Sequence, residues 1–493
     1  MAVLLEYSDQ FHAPVWMVGV RLAVILGAAW LLGPFVARMV RPRIPAEREL
    51  TASALLVAVV AWVVLFGAGV LRHISFHSKA WDLAIFDQVI WNLANGNGWE
   101  CSVRGVQDLR GDHFEPILLL FVPLYKVFSH VGWLLGLQAT ALVGAVLLVW
   151  ATYRTKLDET ASFLLLCACF CYPPIAWLAC ADFHPIALAP FFIALGWWGR
   201  TRSVLPAFVA GLVGLSLCGE EGFIVAGWWG FWEFAVRSPW RRTRDENQWA
   251  SLRMGWVGLG LCVALWAGFI YLSAVYIPSH RAEGEGYFYV HRYSYLGGSV
   301  VEIARNFFAA PLLWVPKLVE PRSIALLALY LAPLAFLPAF RPITLLLLLP
   351  TALYTLLSES DEQRSIFHQY TAIWIPFLLI AVGEALDRPE AGPSFQLKRA
   401  SILLTAALLG LVAFSPLFGL SMHREWFLPE DWSAEAKGIV GTIAPSVSVS
   451  APSALCPHLS HRRVLLLKPN SQWPGANQVL VLPDFPPRDS GGG

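Results

Sequence analysis

Residues 81–116 read WDLAIFDQVIWNLANGNGWECSVRGVQDLRGDHFEP. This is the longest polar interval between strongly apolar segments in the first half of the chain. It carries Asp82, Asp87, Glu100, Asp108, Asp112, His113 and Glu115, although only 14% of all residues are charged, against about 25% in soluble domains. The stretch opens like a helix. Asp82 is placed to cap the amides that follow, with Trp81 set to staple against Phe86. Leu83, Phe86, Ile90 and Leu93 recur at helical spacing and give one apolar face. Asn95-Gly96-Asn97-Gly98 supplies residues that tolerate positive φ and end the helix. The reading is an amphipathic helix and loop lying on a membrane surface and presenting acids.

Outward from that stretch the chain is apolar. Of 493 residues, 57% are hydrophobic, with 23 Trp and 30 Phe, the aromatic excess found at bilayer interfaces. The net charge of +1 is uninformative as a total; the partner expected is a lipid bilayer and not nucleic acid. Residues 1–14 hold Glu6 and Asp9 and lack the basic start of a cleavable signal peptide. Clear apolar spans are 15–37, 52–71, 133–153, 161–179, 255–277, 324–340, 371–386 and 401–420, with shorter ones at 186–199, 205–218, 223–236 and 343–357. The total is about twelve crossings of a ~30 Å core, and residues 117–128 make a half-helix in the outer leaflet.

Lysines and arginines set the orientation. Arg38, Arg41, Arg43 and Arg48, then Arg154 and Lys156, Arg200 and Arg202, the cluster from Arg237 to Arg253, and Arg388, Lys398 and Arg399 all fall on one side when crossings alternate. That side is the cytoplasm. Both termini, the loop 72–116 and the tail after residue 420 are then extracytoplasmic, in a bacterial inner membrane. The expected fold is mainly α and polytopic. Residues 1–50 form an extra helix and cytoplasmic loop, 51–420 the membrane domain, 421–482 a small α/β cap of short helix and strand pieces, and 483–493 a Pro/Gly-rich disordered tail. Four of the eight cysteines, Cys167, Cys169, Cys171 and Cys180, lie on one apolar segment and read as small hydrophobes. Cys101 and Cys456 alone lie in long outer segments, where a bridge would tie loop to cap; two free thiols are the expectation.

Chemistry is expected at the outer ends of the spans. Asp112-His113-Phe114-Glu115-Pro116 and Asp182-Phe183-His184-Pro185 each put Asp and His before a Pro that starts a helix, where free amides can hold phosphate. The plain alternative is that both Asp residues are caps. Glu220 and Glu221, inside Gly219–Gly222, are either a hairpin turn or an ionisable pair costly enough at that depth to mark a site. His280, Arg281, His291, Arg292, Arg364 and His368 lie in outer loops and as a set could neutralise a phosphate. Asp82 and Asp87 are five residues apart, about 140° of helical rotation, so a regular helix cannot aim both at one site. Asp82 is the favoured reactive carboxylate and Asp87 the second.

WDLAIFDQVIWN, GDHFEPILLL, ADFHP, GEEG and the tail APSVSVSAPSALCPHLSHRR resemble a bacterial family of polytopic membrane proteins of unassigned function, over about residues 50–482. Gly219 stands where that family usually has Lys. The family is in turn similar to GT-C glycosyltransferases, whose first large outer loop bears an essential acidic residue. The resemblance implies inverting transfer of a sugar from a polyprenyl-phosphate donor to an unknown acceptor, with Asp82 as general base. Asp112, His113 and His184 would position the phosphate, directly or through a divalent cation such as Mg or Mn held by Asp112 and Glu115. Glu220, Glu221, Arg281 and His368 would complete the substrate site. The competing reading is a transporter or flippase for a lipid-linked or anionic substrate. It calls for an inverted repeat and midplane charges, which the sequence lacks.

Overall fold

The computed structural model describes residues 9–40, 47–103, 107–237, 248–281, 288–388, 392–467 and 478–479. Residues 238–247 of the strongest arginine cluster and the tail 483–493 lie outside them.

Among the described residues seven helices are long and apolar enough to cross a membrane: Val15–Met39, Leu50–Ile74, Gly132–Tyr153, Glu159–Cys180, Leu252–His280, Gln369–Leu386 and Gly392–Ser421. The other apolar runs coincide with helices outside this set. These include Ala189–Thr201, Leu205–Leu217 and Glu220–Arg237, and the segment Pro321–Leu334. Proline is the reason for the last: Pro333 and Pro338 bracket Ala335 and Phe336, which take φ of 51° and 57°, and the α-helix gives way to 3-10 turns. The half-helix expected at 117–128 is a 3-10 turn, Pro116–Leu120, running into the helix Val122–Val127.

The first helix lies against the last. A Cβ on Gly33 would come within 2.6 Å of the Ile402 backbone, so glycine is what permits the approach. Arg21 fixes the same pair by donating to Ala413 O at 2.9 Å, Ser421 Oγ at 3.0 Å and Phe11 O at 3.1 Å. Leu31 and Phe35, on the outer side, remain exposed.

Basic groups collect at one end of the bundle. Lys156 pairs with Asp387 at 3.4 Å, Arg399 donates to Ala385 O at 3.0 Å, and Arg202 donates to Ala151 O at 3.2 Å. Glu233 is wholly buried between Arg200, at 2.6 Å, and Arg237. This clustering agrees with the arginine count.

At the other end the opening stretch departs from its sequence reading. It is not a surface helix. A π turn, Ala80–Ala84, leads into the helix Ile85–Ala94, and Leu83, Phe86, Asp87, Gln88, Val89, Ile90 and Asn92 are all buried. Its cover comes from the C-terminal segment: the helix Ser433–Thr442 and three short parallel strands, with Val449–Ala451 between Leu465–Leu467 and Gln478–Val479. Leu467 N donates to Val103 O at 3.1 Å, and the Gln88 amide donates to Arg462 O at 2.9 Å. Gly96 and Gly98, at φ 79° and 77°, end the helix as expected. Cys101 and Cys456 are both buried and form no disulfide among the described residues.

Candidate active site

Six interhelical segments meet at this end, and their polar side chains form two groups.

The first group is an anchor. Asp87, 1% exposed, accepts hydrogen bonds from Tyr125 and Ser460, and His461 Nε2 lies 3.1 Å away. Burial opposes ionisation here, but His461 and the two hydroxyls outweigh it and hold the carboxyl below its usual range. Each oxygen is engaged. The sequence reading ranked Asp87 second as a reactive carboxylate; the structure gives it the task of holding the cover on the helix.

The second group is a buried polar cluster bordering a cleft. Pro116 and Pro185 start 3-10 turns, as their position before apolar runs predicts, and this fixes the residues just ahead of them. His184 caps its own turn, its Nδ1 accepting from Ile186 N at 3.5 Å. The two Asp residues do not cap those turns. Asp182 instead takes Arg72 at 2.5 Å and Lys79 N at 2.7 Å, tying together the ends of two spans. His113 reaches Glu220 through Nδ1 at 2.9 Å and the Tyr289 hydroxyl through Nε2 at 2.7 Å. Burial disfavours a charged imidazole, yet Glu220, Glu115 and Asp112 raise His113 to about 10, so it stands as a cation at neutral pH. His184 goes the other way, to about 3, through burial and the nearby His113 charge. Glu115 is buried with Oε1 at 3.9 Å from His184, while its Oε2 has no hydrogen-bond partner among the described residues; burial pushes its pKa well up. GEEG is therefore more than a turn, because Glu220 is the counter-ion of His113.

Glu221 lies on the wall of a cleft it shares with Tyr354, Gln369 and Tyr370, which holds about 380 Å³ of open volume. Arg292 braces that wall through Tyr370. It donates from Nη1 to Gln363 Oε1 and to the Tyr370 hydroxyl, both at 3.0 Å, and lies over the Tyr289 ring at 4.7 Å. Its Nε has no partner among the described residues.

Asp82 lies near enough to the cleft for its charge to act on Tyr370. It lies within the π turn, where it caps nothing. It is half-buried, and no hydrogen bond or ion pair holds it among the described residues. Burial, then Asp182 and Glu362, push its carboxyl up to about 7, with His368 and Arg72 working against them. Arg281 braces the loop ahead of Asp112 and His113, donating to Gly111 O at 3.2 Å.

Among the described residues no third His, Cys, Asp or Glu groups with Asp112 and Glu115. The Tyr289 hydroxyl donates to Asp112 at 3.4 Å, whereas Glu115 turns to His184. The His113 imidazolium supplies positive charge beside that pair. Sequence reasoning left Arg292 as one of a set of six and passed over Tyr289, Tyr354 and Tyr370. A signal was present in the tyrosine-rich run YFYVHRYSY at 287–295, unusual for a solvated loop.

A family model described as "Predicted membrane protein (DUF2079)" matches residues 72–489. No curated protein matches. Among solved structures the chain is similar to ArnT from Cupriavidus metallidurans bound to undecaprenyl phosphate, at 14% identity and a TM-score of 0.49, covering 85% of this chain and 86% of that one. It is also similar to the Archaeoglobus fulgidus oligosaccharyltransferase in complex with Zn and sulfate, at 13% identity and a TM-score of 0.44, covering 83% and 62%.

Proposed function

The chain belongs to the DUF2079 family of predicted membrane proteins, and from that premise we propose that it is an inverting glycosyltransferase. It transfers a sugar from a polyprenyl-phosphate donor to an acceptor hydroxyl at the extracytoplasmic face of a bacterial inner membrane, with both termini on that face. One observation carries the reading. An unpaired carboxylate, Asp82, and an incompletely paired guanidinium, Arg292, both act on Tyr370. A base and a cation so placed suit a reaction that takes a proton at one point and leaves negative charge at another.

The acceptor oxygen attacks the anomeric carbon, the bond from that carbon to the phosphate oxygen breaks, and the lipid phosphate departs with the electron pair. Asp82 takes the acceptor's proton. A carboxyl near pH 7 is well matched to that task, and general-base catalysis of this kind is worth about 10²–10⁴ in rate. Arg292 and the His113 imidazolium stabilise the charge growing on phosphate. His184, neutral, donates or accepts a hydrogen bond at the same oxygens. No divalent cation at Asp112 and Glu115 enters these steps.

Binding of undecaprenyl phosphate to the purified chain, followed by native mass spectrometry, tests the proposal. Loss of a charge-assisted hydrogen bond worth about 1.5–3 kcal/mol predicts that Arg292→Ala weakens binding by about 10- to 150-fold. Asp82→Asn, which removes the base and not the phosphate contact, should bind like the parent chain. Equal binding by the parent and Arg292→Ala would overturn the assignment.

A further inference from the structure

We propose that His12, His423 and Glu425 form a site for a divalent cation of the zinc class. The site would clip the segment ahead of the first helix to the loop that follows the last one. One ligand atom from each residue lies within 4.8 Å of the other two. It is the one such grouping of three among the described residues, and it is separate from the pair Asp112 and Glu115.

The geometry around His423 is that of a held ligand. Its ring is buried and stacked on Trp426, with centroids 4.0 Å apart and planes at 10°. Nε2 faces Gln10 O at 2.9 Å, so that nitrogen carries the proton and donates. A backbone carbonyl fixing the far nitrogen is the usual outer contact of a metal-binding histidine. Nδ1 points at Glu425 Oε1 2.7 Å away, so a proton holds the pair together where no ion is bound, and a divalent cation would take the proton's place. A second imidazole is brought to the same place: the His12 ring lies 4.5 Å from that of His423. His12 adopts φ 48°, a left-handed conformation that an L residue rarely takes. Two imidazoles and one carboxylate are a zinc donor set with a fourth position open to water, and both His12 and Glu425 are exposed, so the ion can enter.

The site has something to hold. Phe11, next to His12, is wholly buried against Phe367, Trp177 and Phe414, and Phe367 precedes His368. His12 and the first helix precede the region matched by the family model, whereas His423 and Glu425 fall inside it. The clip therefore couples this chain's leading helix to the family's common body.

The test uses tag-free, full-length protein, stripped with a chelator and titrated with Zn²⁺, with Co²⁺ as the spectroscopic probe. One equivalent should bind, Co²⁺ should give the visible absorption of a low-coordinate nitrogen and oxygen site, and zinc should raise the Tm. His423 is packed in the interior, so the variants are the exposed positions His12→Ala and Glu425→Gln. Each should weaken zinc binding at least 10-fold and abolish the rise in Tm. Absence of binding in the parent chain, or binding in His12→Ala equal to the parent's, would show an adventitious ion only and overturn the proposal.

Discussion

Replacing Asp87 by Asn tests whether the C-terminal segment is held over the acidic loop by that one carboxylate. The amide keeps the shape but not the charge. Its oxygen can still accept from Tyr125 or Ser460, while its NH₂ group meets a hydroxyl or imidazole arranged for an anion. Hydrogen bonds to charged groups contribute about 1.5–3 kcal/mol each. His461 is one-third exposed, so its ion pair adds little beyond the hydroxyl bonds. Loss of about 2–3 kcal/mol is expected, which at 1.36 kcal/mol per decade raises the opening equilibrium about 30- to 150-fold. Amide hydrogen exchange by mass spectrometry reads this directly, because residues 449–467 are protected only while docked. The pH dependence follows from two opposed shifts. Asp87 is lowered, so its contribution is present above its unfolded value of about 4 and is lost as pH falls through the folded one. His461 is raised by Asp87 against the effect of burial, so its contribution is full below about 6.5 and is lost as pH rises through its folded value. Docking should thus be tightest between about pH 4 and 6.5. Unchanged exchange in Asp87→Asn, after correction for intrinsic rates, would refute the anchoring role.

Asp82→Asn should abolish sugar transfer, and the parent's rate should fall as pH drops below about 7, where the carboxyl protonates. His368→Gln removes a charge that favours the ionised form, so the acidic limb of the pH–rate profile should move to higher pH. Asp182→Asn leaves Arg72 without its buried counter-ion and should cost about 3 kcal/mol, visible as a lower Tm in detergent. A cysteine placed at position 97 should react with an impermeant maleimide on intact cells, and one at position 245 should not.

Much of the polar cluster could be read from local chemistry. Proline after Asp-His or His announces a turn whose leading side chains are fixed, and both turns form where those residues predict. The pairing of GEEG with GDHF could not be read, because His113 and Glu220 are 107 residues apart. Burial of the acidic helix was hidden for the same reason. Its periodicity describes one apolar face correctly, but Gln88 and Asp87 are covered by residues 373 and 374 positions away, and no spacing rule reaches that far. Asp82 was singled out for its place at a helix start. Its state comes instead from neighbours in two other loops.

The helix Leu205–Leu217 has 13 residues, which is about 20 Å at 1.5 Å per residue. It rises from the basic end and turns straight into Glu220. A hydrocarbon core is about 30 Å thick, so on the proposed topology, with the basic end at the inner boundary, the Glu220–His113 pair would lie about 10 Å below the outer headgroups. On that topology the membrane surface would be dimpled at this protein, and a lipid whose phosphate meets Glu220 and His113 would have to sink out of its leaflet plane to do so. Such a displacement selects for a flexible, mobile tail and against an ordinary two-chain phospholipid, whose bulk would stay at the rim.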